Sequence, residues 1–118
     1  MRVVTQNGAR VIGISSDCMG RGDEGLGKAL MRSYLHTLTE VEPCPDAIVF
    51  FNNGVRLAVE GSPAVDDLQA IFARGTRLLL CGTCLTTFGL KDQVAVGEVS
   101  NMYAISETML KAASVINL

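Results

Sequence analysis

The sequence has no tryptophan and few aromatic residues of any kind. Aromatic residues make up 5% of its 118 positions, whereas hydrophobic residues make up 48%. A core built from this composition must be mainly aliphatic. Charged residues are also scarce, at 19%, and a chain this apolar and lightly charged is typical of a folded globule rather than a disordered segment. The length suits one domain.

An excess of positive charge is missing as well. Ten Lys and Arg residues stand against twelve Asp and Glu residues, which gives a formal net charge of -2. Proteins that bind nucleic acids by neutralising phosphates need clustered positive charge. We therefore expect no nucleic-acid partner.

Long hydrophobic runs are absent too. The longest uninterrupted apolar stretch is residues 47–51, far short of the roughly 20 residues that cross a bilayer. The first ten residues show no apolar segment of the kind found in secretory signals. We expect a cytoplasmic protein that does not associate with membranes, and its four cysteines are interpreted as reduced thiols.

Short apolar runs alternate with helical patterns along the chain. Residues 1–9, with the turn dipeptide Asn7-Gly8, are interpreted as a tail or linker stub, and residues 10–118 as a single domain. This alternation predicts a three-layer α/β/α fold with a mainly parallel sheet of five strands. The predicted strands are 10–16, 46–52, 76–80, a short one within 93–99, and 115–118; the predicted helices are 23–39, 62–74, 85–88 and one that begins after Asn101.

Apolar spacing predicts which helix faces are buried. Ser62 and Pro63 are expected to begin the second helix, and Gly75 to end it. The side chains expected to face the core are Leu26, Leu30, Met31, Tyr34, Leu35 and Leu38 in the first helix, Val65, Leu68, Ile71 and Phe72 in the second, and Ile105, Met109 and Leu110 in the last.

A glycine-rich loop precedes the first helix. Residues 20–25 fit the pattern G-x-G-x-x-G, and residues 22–28 fit G-x-x-x-x-G-K. Asp23 and Glu24 occupy the helix start, where their charges repel a phosphate, and Ala29 lacks the hydroxyl that holds Mg²⁺. We therefore expect no nucleotide and no other organic cofactor.

The strongest chemical signal is the C-x-x-C pair Cys81 and Cys84, which follows the third predicted strand. Amides at a helix start and in the Gly82-Thr83 turn can donate hydrogen bonds to sulfur and favour the reactive thiolate. Gly82 also lets another sulfur atom approach closely because it has no side chain. We therefore favour a functional role over the alternative that Cys81 is a small apolar residue ending a buried strand.

Zinc is the other obvious use of four cysteines, but one C-x-x-C supplies only half of a structural site. Cys18 is predicted at the same sheet edge as Cys81, whereas Cys44 precedes a strand and His36 lies within a helix. We therefore expect no metal site. Cys18 is either a relay thiol or, as we favour, an ordinary loop residue.

Four segments together resemble a known family: residues 14–27 (ISSDCMGRGDEGLG), 50–61 (FFNNGVRLAVEG), 81–85 (CGTCL) and 97–103 (GEVSNMY). They resemble the DsrE-like domain of the YedF group, the sulfurtransferase-like selenium metabolism proteins, over about residues 10–116. The resemblance implies a DsrE/DsrF-type fold, with a five-stranded, mostly parallel sheet between helices. The TusA-like domain that usually precedes this domain is missing, so the chain is a separate domain, a fragment or a shortened homologue.

Members of the wider superfamily include sulfur-relay subunits that carry sulfur as a cysteine persulfide. The resemblance implies that Cys81 is the reactive position, assisted by Cys84. Asn52, Asn53 and Asn101, on loops at the same sheet edge, are expected to line the pocket as uncharged donors together with Gly82 and Thr83.

The leading hypothesis is a small sulfur-handling protein, a sulfurtransferase or persulfide carrier. Two alternatives remain: a thiol–disulfide redox protein that uses the C-x-x-C, and a non-catalytic binding subunit of a sulfur or selenium pathway. The expected partners are sulfur donor and acceptor proteins or small thiols and persulfides. We also expect a homodimer or homotrimer, with contacts through residues 54–61 and 85–90, because so small a domain leaves apolar surface exposed.

Overall fold

The computed structural model describes residues 8–118, so residues 1–7 of the predicted tail lie outside the described part. Each neighbouring pair of strands in its five-stranded sheet is parallel, which confirms the predicted α/β fold. The strands are β1 (Arg10–Ile14), β2 (Ala47–Phe50), β3 (Arg77–Cys81), β4 (Glu98–Ser100) and β5 (Ser114–Asn117), in the spatial order β4-β3-β2-β1-β5.

In the described part of the chain, four α-helices cover this sheet. They are α1 (Glu24–Leu38), α2 (Val65–Ala73), α3 (Gly82–Thr87) and α4 (Met102–Leu110), and two 3₁₀ helices, Asn52–Ala58 and Lys91–Gln93, complete the set. Right-handed crossovers place α1 and α2 on one face and α4 on the other, because the chain reverses direction across the sheet between β4 and β5. No helix within residues 8–118 is long and apolar enough to cross a membrane.

The core centres on β1, β2 and β3, where apolar residues are buried on both faces of the sheet. The segment after β2 adds to this core, since Val55, Leu57 and Val59 are buried. A side chain at Gly54 would collide with the carbonyl of Ile14, so only glycine fits there. The prediction that residues 54–61 form an exposed contact surface is therefore wrong.

Helix α1 begins as predicted, but its buried face differs. Asp23 caps the helix by accepting the Leu26 N–H at 2.7 Å. The predicted inward residues Leu26 and Leu30 are instead 57% and 44% exposed. Gly27 packs against the preceding loop, which sets the rotation of the helix. The buried residues of α1 are Gly27, Met31, Leu35 and Leu38.

Three other local predictions need correction. Helix α2 starts at Val65, because Ser62 closes the preceding turn by accepting the Ala64 N–H at 3.1 Å through its hydroxyl oxygen. Phe72 of α2 is exposed, and Leu110 of α4 is 86% exposed. Leu68, Ile71 and Ile105 are buried as expected. Phe72 and Leu110, which were predicted to be buried, each lie next to the face of the helix that contacts the sheet.

Candidate active site at the end of strand β3

The C-x-x-C pair lies where β3 meets α3, as the sequence predicts. Cys81 is the last residue of the strand and is only 1% exposed, and Cys84, in the first turn of α3, is half-buried. The Cys84 N–H donates a hydrogen bond to Cys81 Sγ, with 3.4 Å between nitrogen and sulfur. Cys81 therefore caps the helix through its own sulfur, and both thiols are free.

The second thiol receives its own backbone donor from another strand end. The Asn52 N–H donates to Cys84 Sγ at 3.1 Å. Asn52 follows β2 and has a φ of 51°, a left-handed conformation that is uncommon outside glycine. The loops after two adjacent parallel strands thus converge on one sulfur pair.

The surroundings of the Cys84 thiol determine its protonation state. Burial raises the pKa of the Cys84 thiol, and a side-chain hydrogen bond with Cys81 raises it further, whereas the Asn52 N–H lowers it. The net effect is a raised pKa, so Cys84 stays protonated at neutral pH. A protonated Cys84 can donate its S–H to Cys81 Sγ.

A groove of about 390 Å³ begins at Gly82 and Thr83, the two residues between the cysteines, although neither cysteine lines it. Gly82 forms part of its wall and packs tightly on β4, because an added Cβ would lie 3.1 Å from the Ser100 carbonyl oxygen. Thr83 and Asn101 also line it, and the Asn101 side chain additionally caps α4 by accepting the Ala104 N–H at 2.8 Å. The other lining residues are Thr86, Thr87, Lys91, Val99 and Ser100.

The structure places Asn53 differently from Asn52. Its Oδ1 accepts a hydrogen bond from Arg56 Nε at 3.0 Å, and the Arg56 guanidinium lies 4.2 Å from the centre of the Phe88 ring. Phe88 ends α3, so Arg56 joins the segment after β2 to the helix that carries Cys84. The sequence analysis identified neither Arg56 nor Phe88 as a site residue. The signal that could have pointed to Arg56 is its position as a single arginine between buried apolar residues.

The remaining cysteines do not join the pair. Cys18 Sγ lies 3.7 Å from the Glu24 carbonyl oxygen, and burial together with the charges of Asp17 and Glu24 raises its pKa. Cys44 lies before β2, with its Sγ 4.0 Å from the Arg74 carbonyl oxygen. Within residues 8–118, no group of three or more His, Cys, Asp or Glu side chains is placed to hold a metal ion.

Solved structures share this architecture. The YchN protein from E. coli superposes with a TM-score of 0.72 at 18% identity, covering 94% of this chain and 99% of its own. MTH1491 from Methanobacterium thermoautotrophicum, of unknown function, gives a TM-score of 0.67 at 21% identity, over 92% and 97% of the two chains. BT1422 from Bacteroides thetaiotaomicron, also of unknown function, gives 0.65 at 10% identity, over 99% and 100%.

The sequence comparison identifies the family directly. No curated protein sequence matches this chain, but the model of the DsrE/DsrF-like family matches residues 20–118. Assignment to the YedF group within it stays a prediction. The match covers most of the chain and agrees with the parallel five-stranded fold. The chain therefore belongs to the DsrE/DsrF-like family, which is associated in general with sulfur relay.

Proposed function

We propose that this protein carries sulfur as a persulfide on Cys81 and passes it to an acceptor thiol. One observation carries the proposal: two free thiols lie together at the carboxyl end of β3, and each sulfur accepts a backbone N–H. Backbone donors stabilise a sulfur that bears negative charge. The family's general association with sulfur relay supports the same conclusion.

Cys84 and Cys81 have different parts in this chemistry. The raised pKa of Cys84 keeps that thiol protonated, so it serves as a hydrogen-bond donor to the neighbouring sulfur. Cys81 in its thiolate form is the nucleophile, and the Cys84 N–H at 3.4 Å donates to it. Cys81 is thereby the site of covalent sulfur attachment.

Loading is a sulfur transfer without net oxidation. The Cys81 thiolate attacks the terminal sulfur of a donor persulfide, R–S–SH. A new S–S bond forms on Cys81, the donor S–S bond breaks, and the donor leaves as the thiolate RS⁻. Unloading reverses this pattern, because an acceptor thiolate attacks the terminal sulfur and restores the Cys81 thiolate.

The groove beside the pair is suited to the donor or acceptor. Thr83 and Asn101 line it with uncharged polar groups, and Lys91 adds a positive charge. Cys81 itself is buried, so a donor reaches its sulfur when α3 or the loop after β2 opens locally. Between transfers, the same burial shields the bound sulfur from stray thiols.

Mass spectrometry of the intact protein tests sulfur loading. Incubation of the reduced protein with a small persulfide donor is expected to add about 32 Da, one sulfur atom. The adduct should disappear in Cys81→Ser and persist in the matched control Cys44→Ser. An unmodified wild-type protein, or an adduct that survives in Cys81→Ser, would contradict the proposal.

The closeness of the two cysteines, with the Cys84 nitrogen 3.4 Å from Cys81 Sγ, also favours a second candidate, thiol–disulfide exchange. In that reaction Cys84 attacks Cys81 Sγ of the persulfide, forming a Cys81–Cys84 disulfide and releasing the terminal sulfur as sulfide. A second incubation, with labelled sulfur in the donor and an acceptor thiol added, separates the two functions. Transfer of labelled sulfur to an acceptor thiol supports sulfur carriage, whereas sulfide release with disulfide formation supports redox exchange.

A further inference from the structure

A second concave site lies apart from the cysteine pair. It is a cavity of about 270 Å³ between the loop after β1, helix α1 and the segment after β2. The proposed sulfur transfer does not involve this cavity. The residues that line it are Asp17, Lys28, Arg32, Arg56, Leu57, Ser62 and Pro63.

Two arginines from separate elements line this cavity, and neither pairs with a carboxylate of the residues that the structure describes. Arg32 lies on α1, and within residues 8–118 it forms no ion pair or side-chain hydrogen bond. Arg56 uses only Nε, which donates to the neutral oxygen of Asn53. The terminal guanidinium nitrogens of both residues therefore remain available as charged hydrogen-bond donors.

The Arg56 guanidinium is already oriented. It lies 4.2 Å from the centre of the Phe88 ring, and Nε is held at 3.0 Å from Asn53 Oδ1. A guanidinium fixed by stacking and by one hydrogen bond loses less conformational entropy when it binds an anion. This arrangement distinguishes Arg56 from a free surface arginine.

Ser62 supplies a neutral donor. Its Oγ accepts the Ala64 N–H at 3.1 Å, which leaves the hydroxyl hydrogen free to donate into the cavity. Lys28 adds positive charge, although its Nζ also lies 3.4 Å from the Glu24 carboxylate. Asp17 is the one acidic lining residue, so the formal charge of the lining side chains is positive.

We propose that this cavity binds a small tetrahedral oxyanion, such as phosphate, sulfate or thiosulfate, through Arg32, Arg56 and Ser62. Guanidinium groups match the oxygen geometry of such anions and bind two oxygens at once. The volume is just below the roughly 300–1,000 Å³ of pockets that take drug-sized ligands, which favours a small ion over a nucleotide. The site differs from a phosphate-binding glycine loop, because Asp23 occupies the start of α1.

The cavity also connects to the thiols through a short set of contacts. Arg56 contacts Asn53, whose neighbour Asn52 donates its N–H to Cys84 Sγ. Phe88, beneath the Arg56 guanidinium, ends the helix that contains Cys84. An anion held by Arg56 is therefore connected, through the contacts of that side chain, to the two segments that position the Cys84 sulfur.

Backbone amide NMR titration tests the site with inorganic phosphate, sulfate and thiosulfate, each at constant ionic strength in chloride buffer. The Cys81→Ser protein is used, so the result is independent of sulfur loading. We expect saturable shifts that centre on Arg32, Leu57 and Ser62. Tighter binding of thiosulfate would identify a sulfur-bearing anion, and equal affinities would identify the tetrahedral oxyanion alone; either result supports the site.

Charge-removing variants complete the test. Arg32→Gln, on an exposed helix face, and Arg56→Gln should each weaken binding about tenfold or more, because each removes a charge-assisted hydrogen bond. Asp17→Asn should strengthen it by removing a like charge. Arg77→Gln is the matched control, since Arg77 pairs with Glu98 on β4. Absence of saturable shifts, unchanged affinity in Arg32→Gln, or an equal loss in Arg77→Gln would overturn the proposal.

Discussion

The backbone N–H of Asn52 lies 3.1 Å from the sulfur of Cys84, although 32 positions separate the two residues in the chain. Asn52 begins the 3₁₀ helix that follows β2, and Cys84 lies in the helix that follows β3. These strands are neighbours in the sheet, so their carboxyl ends bring the two residues together. This contact makes the loop after β2 part of the thiol site.

Asn52 is expected to act through its backbone. Asn52→Gly keeps the N–H and suits the φ of 51°, so stability and sulfur loading should stay near wild type. Asn52→Ala should cost about 1 kcal/mol of unfolding free energy, since a left-handed conformation strains most side chains. Urea denaturation and intact mass measure the two effects. Loss of loading in a stable Asn52→Gly protein would instead assign the role to the side chain.

The two site thiols should differ in their alkylation at neutral pH. Burial and the bond to Cys81 raise the Cys84 pKa, and only the thiolate reacts, so Cys84 should react slowly and speed up only at alkaline pH. Of the two site thiols, we expect Cys81 to react faster than Cys84 near neutral pH, through the local opening that admits a donor to its buried sulfur. Peptide mapping after brief iodoacetamide treatment across a pH series measures each rate. Equal rates at all four cysteines would remove the basis for choosing Cys81.

Gly54→Ala should destabilise the fold. The new methyl group would meet the Ile14 carbonyl, and overpacking of this kind costs about 1–3 kcal/mol. Gly25→Ala is a matched control, because its Cβ would meet only a side-chain oxygen of the helix cap Asp23, at 3.3 Å, and no backbone atom. Urea denaturation should show a lower midpoint for Gly54→Ala alone. Equal midpoints for the two variants would show that the backbone relaxes around the added methyl group.

We expect the protein to form a dimer or trimer. Its apolar surface lies elsewhere than the sequence indicated, since Tyr103 and Leu110 on α4 are 82% and 86% exposed. Contiguous exposed apolar residues often mark a protein interface. Light scattering coupled to size exclusion at micromolar concentration measures the mass. A single species at 12.6 kDa would contradict the expectation, and Leu110→Lys should reduce assembly if α4 forms the contact.

Local pattern was enough to predict the fold. The short apolar runs that form β1, β2 and β3 alternate with helical spacing, and this order dictates a parallel sheet. The residues that start or end helices, such as Asp23, Asn101 and Gly75, act on their neighbours in the sequence. They could therefore also be recognised from the sequence. The same is true of the C-x-x-C, because the end of a strand and the start of a helix are local events.

Rotation about a helix axis needed the tertiary structure. Leu26 and Leu30 lie on the helix face next to the one that carries the buried Met31 and Leu35. The apolar spacing is compatible with burial of either face. Packing of Gly27 against the preceding loop determines which of the two faces is buried. The structure of the segment after β2 likewise could not be predicted from the sequence, because the apolar spacing of a 3₁₀ helix resembles neither that of a strand nor that of an α-helix.

The sequence by itself determined the order of strands and helices, the family and the position of the thiol pair, since each depends on residues close together in the chain. The tertiary structure decided which distant groups meet those thiols. Asn52 reaches Cys84, and Arg56 reaches Phe88, only because parallel strands place their following loops along one edge. Contacts between residues more than 30 positions apart depend on the spatial order of the strands in the sheet and on loop conformation, which no local pattern encodes.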